Sequence, residues 1–181
     1  MRVITGIARG RRLKELPGLE TRPTTDKVKE SVFNIVQFDI EGRRVLDLFG
    51  GTGQMGIEAL SRGAAFCSFV DLRKEAAAVI RDNLAHTGLA DKAKVTQGDY
   101  LAFLTGCREK FDLIFLDPPY GSGMLEKALA AIAKIDIATE NGIIVCESAA
   151  EAALPALPAP YRMGRDYRYG KIKITLYHRG V

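Results

Sequence analysis

The tetrapeptide Asp117-Pro118-Pro119-Tyr120 combines the residue types in this chain that are best suited to chemistry. It directly follows the apolar run 111–116, which has the length and composition of a buried parallel strand. Two consecutive prolines must end such a strand, because proline lacks a backbone N–H and restricts the preceding residue to extended geometry. A carboxylate, a carbonyl whose direction proline fixes and an aromatic ring can together hold a planar base that carries an exocyclic amine. We therefore predict that these four residues form a catalytic loop; an ordinary proline-closed turn is the alternative.

A second motif is the glycine-rich turn at residues 51–56, which has the GxGxxG spacing of a dinucleotide-binding loop. Asp71 lies about 20 residues after Gly51, where a ribose-binding acid is expected. These features alone would suggest NAD. Asp47, however, precedes the turn, where its carboxylate would repel a pyrophosphate but suits the ammonium group of a methionine moiety. The charge argument therefore favours S-adenosylmethionine as the cofactor.

Asp99 follows the third predicted strand, where it could bind the adenine amino group and also serve as a helix N-cap. The two roles are compatible. A dehydrogenase would need a proton-relay residue, whereas we expect His86 and His178 to lie at the surface. The complete predicted cofactor-binding set is Asp47, Phe49, Gly50, Gly51, Gly53, Asp71, Leu72, Gly98, Asp99 and Tyr100.

The composition is that of one domain with a sizeable core, since the chain has 181 residues of which 47% are hydrophobic. No stretch of about 18 apolar residues could cross a membrane, and the first residues lack the apolar run of a signal peptide, so we expect a cytoplasmic protein. Cys67, Cys107 and Cys146 are far apart and have no CxxC spacing, which argues against disulfides and against a zinc site.

Positive charge is concentrated at the two ends of the chain. Residues 1–30 contain eight Lys and Arg against four Asp and Glu, and residues 161–181 contain six against one. Two basic ends on an acidic body are the pattern expected when the ends contact a polyanion and the body binds a small cofactor. A merely solvated basic surface is the alternative.

The middle of the chain alternates apolar runs with helical patterns, which predicts a mostly parallel sheet with helices on both faces. Near the carboxyl terminus, two runs flanking Gly170 predict an antiparallel hairpin at the sheet edge, and 149–160 is expected to hold a short helix. The predicted strands are 44–48, 66–71, 94–96, 111–116 and 142–146, and the predicted helices are 55–62, 74–86, 100–105 and 125–135.

The amino-terminal part differs from this alternating pattern. Residues 2–14 carry too much charge and glycine for a place in the core, whereas Val28 and Val32 lie on one face of a helix capped by Thr24 or Thr25. We therefore predict a basic amino-terminal extension at 1–40, a hairpin plus a helix, and a methyltransferase domain at 41–181.

On these residues the chain resembles the RsmD-type family of small-subunit ribosomal RNA guanine-N2 methyltransferases. The resemblance runs almost end to end, over residues 2–6, 9–13, 18–30, 47–53, 58–64, 117–120, 169–170 and 176–177. The amino-terminal stretch is the most specific part, because many amino methyltransferases share the other two motifs. Two departures, Gly50 in place of alanine and Gln54-Met55 in place of a smaller pair, could loosen the cofactor loop.

The resemblance implies a Rossmann-like fold and direct transfer of a methyl group from S-adenosylmethionine to the N2 amine of one guanine in 16S ribosomal RNA. Asp117 and the Pro118 carbonyl would accept hydrogen bonds from the amine while Tyr120 stacks on the base. It further implies an assembled or nearly assembled small subunit as substrate, and we expect a monomer. The predicted RNA-binding residues are Arg9, Arg11, Arg12, Arg22, Lys27, Lys29, Arg168 and Lys171.

Two other functions remain open at this point. The tetrapeptide would fit any exocyclic amine, so a DNA adenine-N6 or another RNA amino methyltransferase is possible. A non-catalytic RNA-binding assembly factor with a Rossmann-like body is a hypothesis of a different class. The methylated nucleoside distinguishes the first from the guanine-N2 hypothesis, and binding of S-adenosylmethionine distinguishes the second.

Overall fold

A computed structural model describes residues 1–17 and 25–181. In the described residues the chain forms five α-helices and seven strands. The helices are α1 Asp26–Ile35, α2 Gln54–Ser61, α3 Lys74–Thr87, α4 Tyr100–Gly106 and α5 Met124–Ile135. The strands are β1 Arg44–Asp47, β2 Phe66–Asp71, β3 Ala93–Gln97, β4 Phe111–Leu116, β5 Ala138–Ala149, β6 Tyr161–Tyr169 and β7 Ile172–Arg179.

The seven strands form one sheet in the order β3-β2-β1-β4-β5-β7-β6. The first five run parallel, whereas β7 is antiparallel to both β5 and β6. The predicted α/β fold and the carboxyl-terminal hairpin are therefore confirmed. The chain reverses its direction of travel across the sheet between β1 and β4, and in open sheets of this kind ligands bind beyond the carboxyl ends of the strands at such a point.

Two apolar clusters cover the two faces of the sheet. One contains residues of α1, α2 and α3, and the other contains residues of α4 and α5. The strands β1 and β4 contribute to both, because successive side chains of a strand point to opposite faces. The short helix α2 packs very closely, since a Cβ atom on Gly56 would lie 2.3 Å from the Phe69 ring. The third glycine of the GxGxxG spacing is thus required by helix-to-strand contact.

The amino-terminal hairpin, joined by a bridge between Arg2 and Arg12, contributes to the core. Val3, Ala8 and Leu13 are buried in the same cluster as α1 and the first strands. The expectation that residues 2–14 stay out of the core is therefore wrong, because every few residues an apolar side chain turns inward while the charged ones face water.

Glu58, which is fully buried on α2, anchors this hairpin. Its carboxylate accepts hydrogen bonds from the backbone N–H groups of Ile4 at 2.9 Å and Thr5 at 3.0 Å, and from Arg62 Nε at 2.9 Å. The buried ammonium group of Lys29 lies 3.6 Å away. A buried carboxylate needs such partners, since an unpaired buried charge is strongly destabilising.

Two regions differ most from the sequence-based expectation. The strand β5 is longer than 142–146 and continues to Ala149, where it pairs with Ile172 of β7. Residues 152–158 contain no helix, so the short helix predicted within 149–160 is absent. Prolines at 155 and 158 explain this, because each removes a helical N–H donor and disfavours helical geometry in the residue before it.

Candidate active site

The loops that follow β1, β2, β3 and β4 meet at one edge of the sheet, and backbone hydrogen bonds join several of them. The N–H of Gly50 donates to the carbonyl of Val70 at 2.8 Å, and that of Gly98 donates to the carbonyl of Asp71 at 2.9 Å. The N–H of Leu48 donates to Phe115 at 3.2 Å. The predicted cofactor loops and the start of the tetrapeptide loop therefore belong to one surface.

The glycine turn after β1 needs glycine for two reasons. Gly51 and Gly53 have φ values of 58° and 81°, in the left-handed region that side chains disfavour. At Gly50 a Cβ atom would lie 2.7 Å from Cδ1 of Ile80, the far end of a flexible side chain. The alanine usual in the family would fit there after a small side-chain movement, so this departure leaves the shape of the turn intact.

Gln54, the other departure at this turn, begins α2. Its side-chain oxygen is buried and has no hydrogen-bond partner among the described residues. A buried amide oxygen without a partner costs stability. Here the departure from the family pattern has a local energetic consequence.

Asp47 ends β1 beneath the glycine turn and is buried, with 4% of its surface exposed. One carboxylate oxygen accepts a hydrogen bond from the Gly56 N–H at 3.1 Å. Burial raises the pKa of Asp47 to about 7, while this hydrogen bond acts in the opposite direction. A ligand cation would stabilise the charged form, which agrees with the predicted role of binding a methionine ammonium group.

Asp71 ends β2, and its carboxylate links two loops. Oδ2 accepts a hydrogen bond from the Gly51 N–H at 2.9 Å, and Oδ1 accepts one from the Arg73 N–H at 2.9 Å. The Arg73 guanidinium group also donates to both oxygens, at 3.1 and 3.3 Å. A carboxylate offers about four lone-pair sites, so a ribose diol would compete with the guanidinium group rather than with the backbone.

The remaining predicted cofactor residues lie around Asp71. Asp99 caps α4 by accepting a hydrogen bond from the Ala102 N–H at 2.9 Å, so its predicted N-cap role is confirmed. The rings of Phe49 and Tyr100 contact each other with their centroids 5.0 Å apart. Leu72 exposes 62% of its surface. Carboxylates for an ammonium group and a ribose, with apolar groups for a purine, fit S-adenosylmethionine.

The tetrapeptide loop follows β4 as predicted, directly after Leu116. Pro118 is buried, whereas Tyr120 is 45% exposed. Beside the loop lies a cleft that is open to solvent, with a cavity volume of about 50 Å³. It is lined by 118–123, two residues of α5, the last three residues of β5, and Ala152 and Leu154 beyond that strand. An exposed aromatic ring beside an open cleft suits stacking on a planar base.

Glu147, near the end of β5, lines this cavity and was missed by the sequence analysis. Its side chain is 8% exposed and accepts a hydrogen bond from the Tyr120 hydroxyl at 2.8 Å. The predicted strand ended one residue earlier, at Cys146. An acidic residue closing a buried apolar run, next in the sheet to the tetrapeptide, is the signal that could have identified it.

Among the predicted RNA-binding residues that the structure describes, two lie at the β6–β7 turn, four are exposed in the amino-terminal part of the chain, and one is buried. Arg168 and Lys171 flank the β6–β7 turn, which lies at the same sheet edge as the tetrapeptide because Ile172 pairs with Ala149 at the end of β5. Arg11 lies elsewhere, with its guanidinium group donating to the carbonyl of His86 at 3.0 Å, near the end of α3. Arg9, Arg12 and Lys27 are also exposed, and Arg22 lies outside the described residues.

Lys29 is the exception, and the prediction that it contacts RNA is wrong. Its side chain is fully buried and pairs with Glu58, while its ammonium group also donates to the Arg2 carbonyl at 2.5 Å. Burial lowers the pKa of Lys29, and the charge of Glu58 acts in the opposite direction. Position within a basic stretch did not reveal that this residue lies on the inner face of α1.

Comparisons with known proteins place the chain among methyltransferases. A family model described as "Conserved hypothetical protein 95" matches residues 1–178. The chain is 41% identical to YlbH of Bacillus subtilis, over 99% of both chains. It is 34% identical to Ribosomal RNA small subunit methyltransferase D of Escherichia coli K12, over 99% of this chain and 90% of the relative.

A solved structure shows the same architecture over the whole chain. The Escherichia coli protein yhhF superposes with a TM-score of 0.90 at 32% identity, covering 99% of this chain and 98% of that one. In the described residues, no helix is both long and apolar enough to span a bilayer. Sequence, fold and site agree that this chain belongs to the RsmD family of S-adenosylmethionine-dependent methyltransferases.

Proposed function

We propose that this protein methylates the exocyclic N2 amine of one guanine in small-subunit ribosomal RNA, using S-adenosylmethionine. The observation that carries the proposal is the adjacency of the two loops. Strand β1, which leads into the glycine turn, pairs with β4, which leads into the tetrapeptide, with Asp47 opposite Phe115. Adjacent parallel strands lie about 4.8 Å apart. The methyl donor and the base would therefore meet beyond these two strand ends.

The choice of substrate is supported by the relatives, since the Escherichia coli protein named Ribosomal RNA small subunit methyltransferase D aligns over nearly the whole chain. Ribosomal RNA as the substrate follows from this relationship. The guanine N2 position, and an assembled or nearly assembled small subunit as the form acted on, are the finer parts of the proposal. A monomer in the cytoplasm remains our expectation.

S-adenosylmethionine supplies an electrophilic methyl group when it is bound. Asp47 would hold its ammonium group, Asp71 its ribose, and Asp99 with the rings of Phe49 and Tyr100 its adenine. These residues fix the direction from which the base must approach. Positioning of this kind can lower a barrier by several kcal/mol, because it removes the entropic cost of aligning two reactants.

The tetrapeptide would orient the amine. Asp117 and the Pro118 carbonyl accept one hydrogen bond each from its two hydrogens, which turns the nitrogen lone pair toward the methyl carbon. In this orientation the lone pair would be placed to accept the methyl group that a bound S-adenosylmethionine would supply. Asp117 then accepts the surplus proton of the amine and releases it to water.

Tyr120 would stack on the guanine, which must leave its own stack to enter the cavity. A flipped base is most accessible in a loop whose bases are already splayed. The basic groups at the β6–β7 turn and on the amino-terminal hairpin would hold the surrounding phosphates. We propose accordingly that residues 1–40 act as an RNA-contacting extension, although their apolar side chains pack on the methyltransferase domain at 41–181.

Labelled methyl transfer tests the proposal directly. Unmodified small subunits, naked small-subunit ribosomal RNA and DNA are incubated in parallel with labelled S-adenosylmethionine, and the products are digested to nucleosides. We expect label in N2-methylguanosine, with small subunits as the best substrate. Label in N6-methyladenosine would contradict the guanine assignment, and cofactor binding without transfer to any substrate would favour the assembly-factor hypothesis.

The two basic groups can be tested separately by charge reversal. Replacing Arg168 and Lys171 with Glu should weaken RNA binding and its dependence on salt, since each lost phosphate contact removes released counterions. Replacing Arg9 and Arg12 with Glu tests the hairpin in the same way. Filter binding of RNA reports the effect, and calorimetry with S-adenosylmethionine should show unchanged affinity in both variants. Equal loss of RNA and cofactor binding would contradict an RNA-specific role.

A further inference from the structure

We propose that Glu147 selects guanine by accepting a hydrogen bond from the N1–H beside the reacting amine. This inference rests on the proposed function and identifies the residue that would recognise the base. Glu147 lies on β5, where Cys146 pairs with Leu116 in register. One residue further along, Asp117 directly follows β4 and Glu147 continues β5, so the register would bring them next to each other at the carboxyl edge. Equivalent positions on parallel neighbours point to the same face of the sheet.

The cavity beside these residues gives Glu147 access to a base. It is lined by both the tetrapeptide segment 118–123 and Glu147 itself. The side chain is mostly buried, at 8% exposure, so its carboxylate is held at the cavity wall rather than solvated freely. The Tyr120 hydroxyl donates to Oε1 at 2.8 Å. Tyr120, which is proposed to stack on the base, thus also orients the Glu147 carboxylate that is proposed to recognise the base.

The chemistry of the bases makes a carboxylate selective at this position. An ionised carboxylate only accepts hydrogen bonds. Guanine, adenine and cytosine each carry an exocyclic amine, but the ring nitrogen beside that amine bears a hydrogen only in guanine. In adenine and cytosine this nitrogen presents a lone pair, which a carboxylate would repel. With Asp117 and the Pro118 carbonyl engaged by the amine, Glu147 would accept the N1–H.

Such a contact has a large effect on selectivity. A site that hydrogen-bonds a substrate N–H can reject an analogue lacking it by a factor of about 10⁴, because its buried polar group is then left unpaired. Glu147 would therefore determine which base is methylated, whereas the tetrapeptide would orient any exocyclic amine that reaches it. This division of roles separates the present proposal from a purely structural role in holding Tyr120.

The test compares guanine with 2-aminopurine, which keeps the amine but has a lone pair in place of the N1–H. The guanine mapped by nucleoside analysis is replaced with 2-aminopurine in semi-synthetic small-subunit RNA, and kcat/KM is measured for both. Wild-type protein should strongly prefer guanine. E147Q should lose about 10- to 100-fold on guanine, since a neutral acceptor replaces a charged one. Its kcat/KM for 2-aminopurine should rise, because the glutamine amide can donate a hydrogen bond to the N1 lone pair. The ratio of kcat/KM for guanine to that for 2-aminopurine should therefore fall by about 100-fold or more.

Two further variants distinguish a specific effect of Glu147 from a general folding defect. Y120F keeps the ring but removes the hydroxyl that holds Glu147, so it should narrow the preference by a smaller factor. E140Q removes a carboxylate at the exposed far end of the same strand and should leave the preference within about twofold of wild type. Cofactor affinity and thermal unfolding of each variant report whether the fold is intact.

The possible outcomes are distinct. Equal losses on guanine and 2-aminopurine in E147Q and Y120F, with N2-methylguanosine still formed by wild type, would overturn the role of Glu147 and leave the proposed function standing. Wild-type protein that forms no N2-methylguanosine would overturn both. A narrowed preference in E147Q with E140Q unchanged is the expected result.

Discussion

The two halves of the carboxyl edge hold their acidic side chains in different ways. In the cofactor half, comprising 47–53, 71–73 and 97–100, each of Asp47, Asp71 and Asp99 accepts a backbone N–H. In the base half, comprising 117–123 and 147–154, Glu147 is held by the side chain of Tyr120 beside a cavity. Backbone donors are fixed by the fold, so the backbone positions the three carboxylates of the cofactor half, and we expect the base half to determine the choice of substrate.

The largest expected effect lies in the base half. Replacing Asp117 with Ala should lower kcat by about 10³-fold, because the amine loses the acceptor that orients its lone pair. Affinity for S-adenosylmethionine should stay within about threefold, measured by calorimetry. Replacing Asp117 with Asn keeps one acceptor oxygen and should cost less. Unchanged turnover in the alanine variant would contradict a role for Asp117 in methyl transfer.

In the cofactor half the expected effect is on binding. Replacing Asp71 with Asn keeps an acceptor for the Gly51 N–H but removes the charge and one acceptor oxygen available to the ribose. Hydrogen bonds to charged groups contribute about 1.5–3 kcal/mol, so affinity for S-adenosylmethionine should fall about 10- to 100-fold. Turnover at saturating cofactor should change by only a few fold. A loss confined to kcat would contradict the division between the halves.

Protonation of Asp47 should make cofactor binding depend on pH. Its pKa of about 7 means that the ionised fraction rises from roughly a tenth at pH 6 to roughly three quarters at pH 7.5. Only the ionised form attracts an ammonium group, so affinity should rise about eightfold between these pH values. Calorimetry at both pH values measures this, and the Asp47-to-Asn variant should bind more weakly with little pH dependence.

The raised pKa of Asp47 affects the stability of the cofactor-free protein in the opposite direction: stability should fall as the pH rises. Because the pKa of Asp47 is raised from 3.8 to about 7, the folded state takes up a proton more readily than the unfolded chain. The contribution of this group to stability is therefore complete below about pH 4 and is lost as the pH rises to about 7. Denaturant unfolding of wild type and the Asn variant across this window isolates it.

The smallest expected effect concerns Arg73, whose guanidinium group competes with a ribose for Asp71. Its side chain is 37% exposed, and exposed ion pairs contribute about 0–1 kcal/mol. Replacing Arg73 with Gln should therefore strengthen cofactor binding by up to about fivefold, read by calorimetry. Markedly weaker binding would show that Arg73 contacts the cofactor rather than competing with it.

Most of the fold could be predicted from the sequence, because a buried parallel sheet leaves uninterrupted apolar runs separated by helical patterns. Strands β2 and β4 have the predicted boundaries, and α3 and α5 differ by a single residue. The glycine turn and the tetrapeptide were found because their backbone geometry demands particular residue types. What depends on local spacing is therefore visible in the sequence.

Contacts between distant segments could not be predicted in this way. Lys29 was assigned to RNA because it lies in a basic stretch, and only its pairing with Glu58 shows that it is buried. Glu147 belongs to no motif, and its importance arises from the neighbouring strand. Nothing in residues 147–149 signalled that β5 would continue to Ala149, since its final pairs are with β7.

Asn83 on α3 connects the start of the chain to the glycine turn. Its side-chain amide accepts from the Lys14 N–H at 2.7 Å and donates to the carbonyls of Lys14 at 3.1 Å and Thr52 at 2.9 Å. With Glu58, it binds the hairpin across separations of 53 to 69 residues. During synthesis the hairpin emerges before α2 and α3, yet its contacts require both of these helices. The hairpin thus cannot complete its contacts until α3 has left the ribosome.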